Sequence, residues 1–577
     1  MYPGPVMPRR VGPSAESTLL TLAILGLVVV LLSAIAFVPR NSSSSVRGGG
    51  GSAGLGSGSD GGDGSLALGA DGQAGSGDAG AAGGGTASGA SGGRAGSGTA
   101  RGVGSTGGAA GSRTGTGAST GRTGTRGTGA GGTGATAGAG GVGGVGGGVA
   151  GGAGAGCDAA HNGGSTDTGV SGTSIKVGAV TVDNGAGATF LQPEDVAMKA
   201  VVAQVNNKGG ICGRRIELDL HDSGWVAATG ATDMENMVQA DKVFVFAVNP
   251  DSEGLNAVSV APYGSGKLDG WKVPVIGTDG LLFSQYADPY IWPIAASTST
   301  AMHSIAQSQY QNGSRTFSIV YEQTYRFGRE GANAYNNMVK ARTGSNIAGY
   351  SDPNTNPLCQ QAFCGIQSSS GSSSQSTYGS QANSINTYCG CDAGVVLLEP
   401  ATAINWFSSG GRFGGVKDPT GGKGAAPQPL FQRFFADGCK TVCNSMRLWT
   451  GFIPHIGQFA SQPAVAQYAN TMGSYSSTVD VNNQFAEGAY VGMLLAMEAF
   501  AVASAMPGGL TRSNVISVLD NTKGWDNGLT VSPLSWSSGN HFAETSVHAF
   551  DELYPSSFGG WQYIQGSQTQ DAAPGRI

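Results

Sequence analysis

A glycine-rich tract between Ser42 and about Gly156 sets the limits on how this chain can fold. It consists almost entirely of Gly, Ala, Ser and Thr, and therefore has too little apolar surface to build a core. A collagen helix is excluded because the tract has neither a strict G-x-y period nor proline. Its G-x-G-x-x-G matches carry no meaning, since no strand precedes them. We therefore predict that residues 39–156 form a disordered tether.

The length of this tract predicts how far it can reach. A random coil of about 110 residues has a root-mean-square span of roughly 55 to 60 Å, and its fully extended reach is far greater. We expect such a tether to hold a folded domain away from a membrane. A self-associating surface stalk is the alternative for these residues.

An apolar segment precedes the tract. Leu19 to Val38 contains no charged residue and is long enough to span a bilayer as a helix. We predict a transmembrane helix at 19–38, residues 1–18 in the cytoplasm, and a single-pass cell-membrane protein with its C-terminal domain extracellular. Ala34-Ile35-Ala36 resembles the cleavage site of a secretory signal peptide, so a cleaved, secreted form is the alternative.

The charge of the chain argues against nucleic acid as a partner. Its formal net charge is −6, and its Lys and Arg residues do not cluster in the sequence. Binding to a phosphate backbone requires such a positive footprint. We expect no nucleic-acid partner.

The cysteines indicate disulfide bonds. All eight follow the apolar segment, and an even number in an exported domain favours pairing. Cys157 with Cys212 would fasten the lead-in of the domain to its first helix-to-strand corner, and Cys439 with Cys443 could close a local loop. A zinc site is the alternative, but paired C-x-x-C spacing is absent and no histidine stands at ligand spacing, so we predict no metal.

Residues 157–577 show short apolar strands alternating with helices, which predicts an α/β fold with parallel sheets. The pattern occurs twice, so we predict two α/β lobes. The first lobe has predicted strands at 175–180, 215–220, 243–248 and 273–276, and predicted helices at 194–207 and 229–240. The second has predicted strands at 317–322, 346–350 and 394–399, and predicted helices at 300–311, 328–342 and 380–388.

Three further segments are interpreted from composition. The Ser- and Gln-rich stretch 359–376 and the stretch 410–429 are predicted to be surface loops. Phe485 to Met506 is apolar enough to suggest a second membrane span. Glu487, Glu498 and two glycines favour a helix packed inside the domain instead, and a second helix is predicted at 511–521.

The sequence contains no recognisable catalytic arrangement. The folded region lacks a G-x-S-x-G elbow, a phosphate-binding G-x-x-x-x-G-K-[ST] loop and an H-E-x-x-H motif, and its histidines are scattered. Gly209-Gly210 follows a helix and precedes a strand, the reverse of a dinucleotide fingerprint, and is interpreted as a helix C-cap. We expect neither an enzyme nor a cofactor.

The order of these segments resembles a known family. The stretches that carry the resemblance are IKVGAVTVDNG, VVAQVNNKGGICGRRIELDLHDSG, MVQADKVFVFAVNPDSEGLNAV, VPVIGTDG, SIVYEQTYRFGREGANAYNNMVK, YGSQANSINTYCGCDAGVVLLEP and QFAEGAYVGMLLAMEAFAVA. Together they cover nearly all of 173–551 and are similar to the type I periplasmic solute-binding proteins, the leucine/isoleucine/valine-binding family of ABC importers. The resemblance implies the type I periplasmic-binding-protein fold: two Rossmann-like lobes, joined by crossovers that act as a hinge. These lobes close around a small molecule held by loops at the carboxyl ends of strands.

Carried over by position, the resemblance implies a set of ligand-binding residues. Most of them follow predicted strands in the two lobes: Asp183, Asn184, Asp251, Ser252, Gly277, Thr278, Asp279, Phe327, Pro400 and Thr402. The last, Asp437, falls where the family often has an acidic residue that holds a ligand amine. Phe327 departs from the family, which often has a ligand-facing tyrosine there. Asp251 and Ser252 could instead cap the next helix, as could Thr278 and Asp279.

The expected function is extracytoplasmic binding of a small polar or amino-acid-like ligand for ABC-type import, with an ABC permease as partner. A family member from a single-membrane bacterium usually carries a lipidated cysteine directly after a short signal, whereas Cys157 lies far beyond the apolar segment. The predicted membrane link is therefore the N-terminal helix. A membrane-tethered ligand-sensing receptor head and a structural cell-surface protein are the alternatives.

Overall fold

The computed structural model describes residues 157–185, 187–355, 359–368, 376–413, 415–416, 423–426, 447–455, 459–543, 546–551, 562–563 and 569–570. The predicted membrane helix at 19–38, the predicted tether at 39–156, Asp437, Cys439 and Cys443 lie outside these residues.

The first lobe contains a five-stranded parallel sheet with the order β2-β1-β3-β4-β5. Its strands are β1 (Ser174–Thr181), β2 (Arg215–Asp222), β3 (Val245–Ala247), β4 (Val275–Thr278) and β5 (Ile291–Pro293). Its helices in this part of the chain are α1 (Ala188–Asn207), α2 (Ala227–Asn236), α3 (Ser252–Val258), α4 (Lys267–Trp271) and α5 (Phe283–Ala287), and a π-helical turn, Met237–Asp241, follows α2.

The second lobe contains a mixed sheet whose main path is β12-β11-β10-β9-β8-β6-β7, and β13 pairs with β11. Strands β6 to β10 pair in parallel, whereas β11 pairs antiparallel with its neighbours. The strands are β6 (Phe317–Glu322), β7 (Phe363–Ile366), β8 (Ala393–Leu397), β9 (Gly424–Ala426), β10 (Arg447–Thr450), β11 (Ser546–Asp551), β12 (Gln562–Tyr563) and β13 (Thr569–Gln570). The helices are α6 (Thr298–Gln311), α7 (Arg326–Thr343), α8 (Ser376–Tyr388) and α9 (Pro400–Ser408), with a 3₁₀ turn at Pro353–Thr355.

After β10 the chain returns to the first lobe through α10 (Pro463–Tyr475), α11 (Gln484–Ser504) and α12 (Arg512–Asn521), and then enters the second lobe again at β11. Apolar residues of α11 share one buried cluster with those of β1 and α1. The lobes are therefore built from interleaved parts of the sequence, as the two-lobed α/β prediction requires.

Helix α11 begins where the Asn483 side chain accepts hydrogen bonds from the Phe485 and Ala486 amides, 2.9 and 3.2 Å away. It is long and apolar enough to cross a membrane, but 72% of its most apolar window is buried inside the protein. Gly492 lies against the backbone of Gly277 in β4, where a Cβ on Gly492 would stand 2.3 Å from the Gly277 carbonyl oxygen. This burial agrees with the predicted core helix.

Three disulfides are present among the described residues: Cys157–Cys212, Cys359–Cys364 and Cys389–Cys391. The first confirms the expected link between the lead-in and the corner that follows α1. Arg214, in the same corner, is completely buried and donates to the carbonyl oxygens of Ser171 (2.7 Å), Gly164 (2.8 Å) and Asn162. Gly209 and Gly210 have φ of +98° and +77° directly after the helix, as a C-cap requires.

One predicted strand is wrong. Residues 346–350 form turns rather than a strand, because Asn336 Oδ1 accepts from the Ile347 amide and Gly349 has φ of +79°. The strand beside β6 is β7, which lies within the stretch 359–376 that was predicted to be a surface loop. β9 likewise occupies part of the predicted loop 410–429.

Candidate functional site

A cavity of about 130 Å³ lies between the two lobes, and residues of both lobes line it. Several of these residues directly follow strands: Val248 after β3, Asp279 after β4, and Glu399 shortly after β8. Ligands of open α/β sheets bind at this edge, so the cavity is the candidate ligand site. Helices α1 and α11 also contribute to the wall.

Most of the wall is apolar, and much of it is aromatic. The larger apolar residues are Phe190, Leu191, Trp225, Val248, Leu281, Phe327, Leu397, Trp449, Phe452 and Phe485. The Phe190 ring meets Trp225 edge to face at 5.6 Å and lies 5.4 Å from the Phe485 ring. Such a wall favours a ligand with an apolar body.

Two acidic side chains of the first lobe enter this apolar wall. Glu194, on α1, is 1% exposed, and its Oε1 accepts no hydrogen bond from any described residue. Burial raises the pKa of the Glu194 carboxyl well above its usual range, and the negative charge of Asp279 raises it further. The two carboxyl groups are thus close enough to repel each other, and both line the cavity.

Asp279 is held in place by Gln285. The Gln285 carbonyl oxygen accepts from Thr278 Oγ1 at 2.6 Å and from the Gly280 amide at 3.1 Å, so its NH₂ group is left to donate to Asp279 Oδ1, 3.1 Å away. Asp279 Oδ2 has no hydrogen-bond partner among the described residues. Burial raises the pKa of Asp279 to about 6, even though hydrogen bonds from the Leu281 amide and the Gln285 side chain lower it.

The second lobe supplies further acids. Glu399 caps α9, accepting from the Ala401 amide at 2.9 Å and the Thr402 amide at 2.5 Å, and burial raises its pKa. Glu322, at the end of β6, is completely buried, and burial raises its pKa to about 7. Its Oε1 accepts from the Thr324 and Ser368 amides, both at 3.1 Å, whereas its Oε2 has no described partner.

The lobes also contact each other beside the cavity. Trp225 of the first lobe stacks on Tyr325 of the second, with ring centroids 4.0 Å apart. Glu253 accepts from the Arg326 amide at 3.0 Å, and Glu330 accepts from the Phe283 amide at 2.9 Å. These contacts hold the two lobes together around the cavity.

Four of the residues implied by the resemblance line the cavity: Ser252, Asp279, Phe327 and Pro400. Six others lie near the same strand ends but are engaged within the protein. Asp251 caps α3, Thr278 donates to Gln285, Thr402 donates to Glu399, and Gly277 packs on Gly492. The Asp183 side chain accepts from Thr181, and the Asp183 amide and the Asn184 side chain both donate to Asp222. A role in ligand binding remains a prediction for all of them, and Asp437 lies outside the described residues.

The residues implied by the resemblance did not include Glu194, Trp225, Glu399 or the other aromatic residues of the wall apart from Phe327. A signal for Glu194 exists in the sequence, because it stands on one helical stripe with Met198 and Val201, four and seven residues later, and both are fully buried. An acid on such a stripe predicts a buried carboxyl.

A family model described as periplasmic binding protein matches residues 174–550. Three solved structures share the fold at low sequence identity. A possible leucine/isoleucine/valine-binding protein from Rhodopirellula baltica is 14% identical, with a TM-score of 0.54 over 68% of this chain and 96% of that one. A fatty acid ABC transporter substrate-binding protein from Thermomonospora curvata is 15% identical, with a TM-score of 0.53 over 70% and 95%.

The third is a solute-binding protein of an ABC transporter from Rhodopseudomonas palustris, solved in complex with 3,4-dihydroxybenzoic acid. It is 14% identical, with a TM-score of 0.53 over 70% of this chain and 98% of that one. No curated protein matches the chain in sequence. Because the family model spans more than half of the chain, the protein belongs to the periplasmic binding protein family and is a small-molecule-binding protein of the type I, two-lobed fold.

Proposed function

We propose that the chain captures a small ligand with an apolar body in the cavity between its lobes and delivers it to an ABC permease. The observation that carries this proposal is the cavity itself, which both lobes line and which has an aromatic wall at the carboxyl edge of the sheets. Among small solutes, this wall favours a ligand with apolar surface over a fully polar ligand. Binding without covalent chemistry is all that the proposal requires.

The similar structures support an apolar body. One is named for fatty acids and another contains 3,4-dihydroxybenzoic acid, so the fold accommodates chains and aromatic rings in those proteins. The aromatic side chains Phe190, Trp225 and Phe327 would supply the matching surface in this chain.

The proposal includes a membrane link through residues 19–38 and a tether at 39–156, with the binding domain outside the cell. A tether keeps the domain near a permease and raises its effective concentration there. No lipidated cysteine is then needed.

A thermal-shift screen of the full-length chain in detergent tests the proposal. A ligand at 100 times its Kd stabilises the folded state by about 2.7 kcal/mol, so a true ligand raises Tm clearly. Ala296→Trp fills the cavity from a half-buried position in its wall and should abolish the shift. Val502→Trp, at an exposed position on α11, should preserve it. A library of small amines, acids, alcohols and amides that shifts neither the wild type nor the control would count against a binding function.

A further inference from the structure

The charged residue types that line the cavity are all acidic. Glu194, Asp279 and Glu399 line it, and no Lys or Arg occurs among its described lining residues. Glu322 lies behind this wall, close enough for the charge of Glu399 to raise its pKa. A carboxylate ligand would therefore face only acids and would disfavour their ionisation, whereas an ammonium group would stabilise their ionised forms.

Two of these acids also have a buried oxygen atom without a hydrogen-bond donor. Glu194 is almost completely buried, and its Oε1 lacks a donor among the described residues, as does Asp279 Oδ2. Leaving such atoms without partners is costly, and a hydrogen-bond donor from a ligand would remove that cost. A group with several N–H donors can serve both carboxylates at once.

The surrounding rings suit the same kind of ligand. Phe190, Trp225, Phe327 and Phe485 line the cavity, and an aromatic face attracts a cation while its edge packs against apolar atoms. The wall therefore combines surface for an apolar body with an acidic pair for a cationic group.

We propose that the ligand is an organic cation, a protonated primary amine on an apolar or aromatic body, whose ammonium group binds between Glu194 and Asp279. This inference rests on the proposed function and adds the chemical class of the ligand. It assigns the charged contact to α1 and the loop after β4, both in the first lobe. A neutral ligand that accepts hydrogen bonds from protonated carboxyl groups is the competing case.

Titration calorimetry on the full-length chain at pH 7.5 tests the inference with probes that share a phenylethyl body and differ in the terminal group. They are 2-phenylethylamine, 2-phenylethanol, 3-phenylpropanoate and trimethyl(2-phenylethyl)ammonium. We expect the primary amine to bind at least tenfold more tightly than the alcohol and the acid. The quaternary ammonium, which has no N–H donor, should bind more weakly than the primary amine.

Two variants locate the contact. Glu194→Gln and Asp279→Asn keep the side-chain shape and should each weaken amine binding at least tenfold, while binding of the alcohol changes less than threefold. Glu217→Gln, at an exposed position on β2, is the matched control and should bind like the wild type. Thermal unfolding of each ligand-free variant checks that it is folded.

The outcomes separate the two proposals. If the acid or the alcohol binds as tightly as the amine, and Ala296→Trp abolishes that binding, the solute-binding function stands and the cationic ligand is excluded. Amine binding that both substitutions leave intact also overturns the inference. If every probe fails to bind, the cationic inference is overturned, and the broader screen then decides the binding function.

Discussion

At the scale of single residues, buried carboxyl groups lie in the cavity wall and directly behind it. Glu194, Glu322 and Glu399 are at most 3% exposed, and burial raises the pKa of each. A carboxyl group with a raised pKa holds its proton more tightly in the folded protein than in the unfolded chain. The ligand-free protein therefore gains stability from these groups as the pH falls toward their ordinary pKa values.

Glu322 allows a direct test of this pH dependence. Its pKa is about 7 in the folded protein and 4.5 ordinarily, so its contribution to stability falls as pH rises from about 4.5 to about 7 and is constant above. Glu322→Gln removes the buried charge and should raise the free energy of unfolding at pH 8 by on the order of 1–3 kcal/mol, with a smaller gain at pH 5. Urea unfolding at pH 5, 6, 7 and 8 measures both. A difference between wild type and variant that does not change with pH would contradict this account.

The sequence predicted residues of the candidate site only where they follow a strand. Ser252, Asp279 and Pro400 follow strands, and they line the cavity. Glu194 lies on a helix, and Trp225 lies in the loop after the edge strand β2, with φ of +66°. Their positions in the wall depend on how α1 and that loop pack against the second lobe, which local sequence does not encode.

At the scale of elements, the contact between α11 and β4 determines how closely α11 approaches the first sheet. Gly277 and Gly492 touch through their backbones, and a Cβ on Gly277 would stand 2.3 Å from the Gly492 Cα. Gly277 also has φ of +76°, which a residue with a side chain rarely adopts.

Gly492→Ala should destabilise the protein by about 1–3 kcal/mol, because the added methyl group forces α11 away from β4. Gly473→Ala on α10 is the control, since no atom lies within 4 Å of its added Cβ. The better helix propensity of Ala should make that change neutral or stabilising by up to about 1 kcal/mol. Chemical denaturation of the two variants provides the comparison, and equal destabilisation of both would show that close packing is not the cause.

Most of the predicted elements formed, because the apolar residues of each strand or helix recur with the period of that structure. β7 is one of the strands that the pattern missed. Its four residues include Cys364 and Gly365 and lie in a mostly polar stretch. Its strand geometry comes from pairing with β6 and from the Cys359–Cys364 disulfide, which are contacts with distant or cross-linked residues. The segment 346–350 is the opposite case. Its apolar residues predicted a strand, but they lie in a turn.

For the molecule as a whole, binding should depend on the contacts that hold the lobes together. Tyr325 stacks on Trp225 across the two lobes but is not among the residues that line the cavity. A change at Tyr325 therefore alters the stability of the closed arrangement without removing a wall residue.

Tyr325→Ala should lower ligand affinity by about three- to tenfold, which corresponds to the loss of one aromatic pair. Small-angle X-ray scattering should show a larger radius of gyration for the ligand-free variant than for the wild type. Tyr388→Ala is the control, because Tyr388 is 68% exposed. Unchanged affinity and dimensions in the Tyr325 variant would mean that this stack does not contribute to closure.

The Cys157–Cys212 disulfide also determines how a mechanical load would enter the domain. A pull on the chain before Cys157 passes through the sulfur bridge to the corner that carries Arg214, and from there into the eight paired residues of β1 and β2. That strand pair lies at one edge of the first sheet, and the load bypasses the segments that cross between the lobes. Tension along the N-terminal segment would thus load a cross-linked strand pair of the first lobe before it reaches the second lobe.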